Sequence, residues 1–120
     1  LNKIKTSRRE VCSLYMEHLK DNDCIIIPKT TLKDINPFLF YLRITDGKRE
    51  KFREHMHKNG VDTGIHWQAG HHFTLLKKFA REPLPVTDKI TKEIVSIPLH
   101  SDMPENDVSK VIEVVNAFSG

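Results

Sequence analysis

The chain has 120 residues, the size of one domain, with 38% hydrophobic residues, 29% charged residues and a net charge of +3. That is enough apolar material for a core, although a domain this small buries a limited share of its surface. Lys and Arg alternate with Asp and Glu as on an ordinary solvated face, which argues against a nucleic-acid-binding stripe, and no apolar run approaches the ~20 residues that span a bilayer.

Residues 3–20 read as an amphipathic helix, with Val11, Leu14, Tyr15 and Leu19 at helical spacing. Asn22 and Asp23 break it, and the apolar run 24–27 is a short strand stopped by Pro28. The strongest strand is 38–44: Phe38, Phe40, Leu42 and Ile44 share one face, Leu39, Tyr41 and Arg43 the other. A helix is expected over 48–58, where Phe52 and Met56 lie one turn apart, closed by Asn59 and Gly60. A second strand is expected over 61–67, interrupted by Gly64, and a short helix over 72–80. Pro83 and Pro85 break the chain, and Thr87 caps a helix over 88–95 with Ile90 and Ile94 inward. Residues 96–99 read as an edge strand. The last helix opens at Pro104 and buries Val108, Val111, Ile112 and Val115. The expected class is α+β: a small, largely antiparallel sheet of three or four strands with helices packed on it. It forms one domain over 1–120, with a connecting helix at 1–20 and an α/β body at 24–120.

Cys12 falls on a helix face and Cys24 in an apolar run, so both read as packing residues in a reducing compartment, and a cytoplasmic location is expected. There is no signal-peptide pattern, no glycine-rich phosphate loop and no nucleophile elbow. Of the seven histidines, His66, His71 and His72 cluster around Trp67. Three readings of that segment stand side by side. It can be a surface loop over a packed Trp67. It can be a metal site, although a five-residue spacing and the lack of a neighbouring Cys or carboxylate pair give no closed zinc set, so none is expected. Or it can face a ligand, with Gly64 and Gly70 allowing sharp turns while Trp67 and the imidazoles offer a flat face and hydrogen bonds.

The order of segments carries a resemblance. Asn36-Pro37-Phe38-Leu39-Phe40-Tyr41-Leu42-Arg43-Ile44 precedes a helix at Lys48-Arg49-Glu50-Lys51-Phe52; then come Thr63-Gly64-Ile65-His66-Trp67, His71, Leu84-Pro85-Val86-Thr87, Ser96-Ile97-Pro98-Leu99 and a helix ending at Phe118. This resembles the C-terminal domain of the DegT/StrS-type, pyridoxal-phosphate-dependent sugar aminotransferases, over at least Asn36 to Phe118. Where that family often has Tyr and prolines after the first His, this chain has Trp67, Gln68, Ala69 and Gly70, and Pro104 replaces a Thr or Ser cap.

The resemblance implies the small C-terminal domain of a fold-type I aminotransferase. The parent would move an amino group, glutamate being the expected donor, onto a keto nucleotide-sugar, and would work as a homodimer. The lysine that binds pyridoxal 5'-phosphate, the Asp facing the pyridinium nitrogen and most phosphate ligands belong to an N-terminal domain outside these residues, so no catalytic, cofactor-binding or metal residue is expected here and the chain alone is expected to be inactive. On the family's pattern His66, Trp67 and His71 are the substrate-binding residues. A regulatory homologue without activity and a stand-alone interaction domain are the alternatives.

Overall fold

Alternating apolar side chains make residues 40–44 the centre of the fold. In the computed structural model, which describes residues 2–33, 35–79 and 82–120, helix α1 (Asn2–His18) leads into strand β1 (Ile25–Ile26) and strand β2 (Phe40–Ile44). Helix α2 (Arg49–Lys58), two short 3-10 turns (Gly70–His72 and Lys77–Phe79), helix α3 (Pro85–Glu93), strand β3 (Ile94–Ile97) and helix α4 (Glu105–Asn116) follow. The sheet order is β1-β2-β3, antiparallel throughout, with Ile25 opposite Ile44 and Leu42 opposite Val95. The α+β expectation holds, with three strands.

Phe40, Leu42 and Ile44 are buried while Tyr41 between them is exposed, as a two-residue period requires. Val11, Cys12 and Tyr15 of α1, Phe52 and Met56 of α2, and Val108, Val111, Val114 and Val115 of α4 join them in one core. Helix α1 therefore packs into the same core as the 24–120 body. Tyr15 sets its ring edge against Phe40, centroids 5.1 Å apart, and its hydroxyl donates to the Pro98 carbonyl at 2.8 Å. Asn116 ties the ends of α1 and α4: its Nδ2 donates to the His18 carbonyl and its Oδ1 accepts from the Lys20 amide, both at 3.0 Å. Gly60 closes α2 at φ +74, the left-handed position that glycine takes without strain.

Several boundaries move. Phe38 lies outside β2 and is 60% exposed. The expected strand at 61–67 contracts to one antiparallel bridge, Gly64 to Ser96, made by two backbone hydrogen bonds of 2.9 and 2.8 Å. The expected helix at 72–80 is replaced by the two 3-10 turns over its described part; Ala80 lies outside the described residues. Its apolar residues Phe73, Leu75, Leu76 and Phe79 are all exposed, so no buried face rewards a regular helix there. Helix α3 begins at Pro85 rather than after Thr87, because proline suits the first helical position. It ends at Glu93, and Ile94 starts β3.

Candidate functional site

The Gly64–Ser96 bridge anchors the loop that leaves α2. Past it the chain brings the His66 imidazole back over Gly64, where a Cβ would collide with the ring. Any larger residue at 64 would force that ring to move. His66 Nδ1 and Ser96 Oγ are hydrogen-bonded at 3.1 Å, so a half-buried imidazole is oriented from β3. Its ring meets Trp67 edge-on, centroids 5.4 Å apart. Trp67 is 62% exposed and stacks on Phe38 at 6.1 Å with an interplanar angle of 28°. Phe38, Leu39, Asp62, Gly64, His66 and Ser96 line a shallow pocket of about 310 Å³. Behind it, Arg53 Nε donates to Thr63 Oγ1 at 3.3 Å, which fastens the loop to α2. The result is an oriented imidazole beside a solvent-facing aromatic pair, a surface suited to a flat or hydroxyl-rich ligand.

His71 belongs to a different cluster. The 3-10 turn at Gly70–His72 places His71 Nε2 at 2.8 Å and His72 Nε2 at 2.7 Å from the same oxygen, Oδ1 of Asp88. The two rings lie 4.3 Å apart. Asp88 stands in the first turn of α3, where the helix dipole favours a carboxylate. The hydrogen bond from His71 is the main cause holding its carboxyl below the usual value; partial desolvation opposes it, and the His72 bond and the charges of both rings add to the lowering. The three expected site residues thus divide: His66 and Trp67 stand together, and His71 pairs with His72. Phe38, Ser96 and Asp88 join the two clusters without having been expected there. Ser96 lies thirty residues from His66 and Asp88 seventeen from His71, so no local spacing could expose either; the only sequence signal for Asp88 is its place at a helix start.

No lysine among the described residues is buried within this domain. No helix among the described residues is long and apolar enough to cross a membrane.

Comparison with known proteins agrees with the fold. The sequence pattern of the DegT/DnrJ/EryC1/StrS aminotransferase family matches residues 1–116. A dTDP-3-amino-3,6-dideoxy-alpha-D-galactopyranose transaminase from Aneurinibacillus thermoaerophilus is 30% identical over 113 residues, covering 92% of this chain and 30% of that protein. Among solved structures, the aminotransferase TlmJ from Streptoalloteichus hindustanus superposes with a TM-score of 0.87 at 22% identity, covering 98% of this chain and 32% of the other. The ntda protein of Bacillus subtilis, solved with bound cofactor PMP, superposes with a TM-score of 0.81 at 19% identity, covering 93% and 27%. The chain therefore spans about a third of the length of the proteins it matches.

Proposed function

The chain belongs to the DegT/DnrJ/EryC1/StrS aminotransferase family, and from that premise we propose that it is the small C-terminal domain of an aminotransferase acting on a keto nucleotide-sugar. In the overall reaction the amino nitrogen of glutamate replaces the carbonyl oxygen of the sugar, and glutamate leaves as its 2-oxo acid. Pyridoxal phosphate, when bound, supplies the electron sink and carries the amino group between the two substrates. We place its seat in the larger, N-terminal part of the enzyme, as the resemblance to the family implies.

The observation that carries the reading is the pairing of an oriented His66 with a solvent-facing Trp67 in a loop of this family's fold. We assign His66 to hydrogen bonding with the substrate's hydroxyl groups and Trp67, backed by Phe38, to stacking. Neither moves a proton in the reaction. The exposed apolar stretch that includes Phe73, Leu75, Phe79 and Val86 is assigned to contact with the N-terminal part. A homodimer in the cytoplasm is the expected working form.

Steady-state kinetics on the complete enzyme test the assignment. His66→Ala and Trp67→Ala should each lower kcat/KM for the keto sugar roughly ten- to a hundredfold, corresponding to about 1–3 kcal/mol, while cofactor absorbance and the glutamate half-reaction stay unchanged. A thermal melt separates this from simple destabilisation. If both variants, still folded, turn over the sugar like the parent, the loop is structural.

A further inference from the structure

Three charged side chains at the start of α2 are joined in one chain of hydrogen bonds. Both carboxylate oxygens of Glu50 are taken: Oε1 accepts from Arg49 Nε and Oε2 from Arg53 Nη1, each at 2.9 Å. Each arginine also reaches beyond the helix with a second nitrogen. Arg53 Nε donates to Thr63 Oγ1 at 3.3 Å, and Arg49 Nη1 donates to the Thr91 carbonyl at 2.6 Å. Thr63 precedes Gly64 in the loop that carries His66 and lines the same pocket. Thr91 stands in the last turn of α3, which runs straight into β3 and Ser96. These are the two walls that the Gly64–Ser96 bridge and the His66–Ser96 hydrogen bond join.

We propose that Glu50 is a positioning residue for the candidate site: through Arg49 and Arg53 it sets the spacing between the His66 loop and β3, and with it the orientation of His66. The inference rests on the proposed role of His66 in holding the sugar. A guanidinium carries its donors in a rigid fork, so an arginine held at one edge by a carboxylate points its remaining nitrogens in a defined direction. Here one carboxylate holds both forks, and both walls of the site refer to a single point on α2. The helix is itself fixed in the core by Phe52 and Met56. Glu50 is 64% exposed, and ion pairs at such positions add little to stability. Their effect on the site is geometric, because a displacement of about 1 Å in a positioned group costs far more in turnover than in stability. Glu50→Gln keeps the shape of the side chain but turns an NH2 towards one guanidinium, which releases one arm.

The test uses the complete enzyme with Glu50→Gln, His66→Ala and the double variant. Glu54→Gln is the control, because that carboxylate pairs with Lys58 on the same helix. Glu50→Gln should raise KM for the keto sugar about three- to fivefold, with kcat and the glutamate half-reaction unchanged and a melting temperature like that of Glu54→Gln. In the His66→Ala background the same change should have no further effect, since it acts through that imidazole. Amide exchange read by mass spectrometry should quicken about threefold or more in the peptides carrying Gly64 and Ser96, and stay as in the parent across α4. An unchanged KM beside a His66→Ala defect, full additivity of the two substitutions, or parental exchange at Gly64 and Ser96 overturns the proposal. If His66→Ala itself leaves sugar turnover intact, the substrate role of His66 fails, and the exchange measurement alone decides whether Glu50 positions the loop.

Discussion

Cys12 illustrates how burial governs single groups in this domain. Its thiol is 1% exposed, and burial pushes its pKa from about 9 up to about 11. Tyr15, fully buried beside it, is raised as well, by desolvation first and by a negative Cys12 second. A group whose folded value is raised keeps its proton longer in the native state than in the unfolded one. The unfolded chain therefore binds fewer protons above pH 9, and stability falls as pH rises from about 9 towards 11. For Cys12 the full loss is on the order of 3 kcal/mol, since each of the two pH units between the unfolded and folded values is worth about 1.4 kcal/mol. Urea denaturation at pH 7, 9 and 10.5 should show a falling midpoint, with a shallower fall in Cys12→Ala; a midpoint that stays level to pH 10.5 would contradict the burial argument. The same burial keeps the thiol protonated near neutral pH, in agreement with its reading as a packing residue.

At the scale of elements, legibility follows the presence of a buried face. The apolar period of α4 reads plainly because Val108, Val111 and Val115 all reach the core, and Val114 only widens the same stripe. Strand β2 is visible through Phe40, Leu42 and Ile44, but Phe38 continues the alternation without the burial and turns out to stack on Trp67 at the candidate site. Segment 72–80 has helical spacing without a partner surface, so its pattern predicts an element that its surroundings do not support. The site is legible in part, through Gly64, His66 and Trp67 within one loop. Ser96 and Asp88, which fix the imidazoles, come from β3 and α3, and only the tertiary fold brings them there. The clasp between α1 and α4 is equally hidden. Asn116→Ala removes two hydrogen bonds made by a half-buried side chain and should cost about 1–2 kcal/mol, whereas Phe52→Ala in the sealed core should cost about 3–5 kcal/mol. Denaturant titration of the two variants checks that order, and equal losses would mean that Asn116 anchors more than the two backbone groups it touches.

The whole molecule divides its surface unevenly. Helices α1, α2 and α4 seal one core against the sheet, while the segment from Trp67 to Val86 leaves Phe73, Leu75, Leu76, Phe79 and Leu84 in the open. An exposed apolar run of this kind marks a contact surface, and under the proposed function the rest of the enzyme covers it. Under that same proposal two tasks would be separate, cofactor chemistry in the N-terminal part and recognition of the sugar by His66 and Trp67 here. The most direct test is a label-transfer assay on the enzyme made from the complete reading frame that carries this chain. The enzyme, loaded with pyridoxal phosphate, is incubated with glutamate labelled at its amino nitrogen and a dTDP-linked keto-hexose, and the sugar nucleotide is analysed by mass spectrometry. The account predicts labelled nitrogen in place of the keto oxygen, and none when the 120-residue chain is used alone. A keto sugar recovered unchanged from the complete, cofactor-loaded enzyme across a panel of such nucleotide sugars, or amination by the isolated chain, would contradict it.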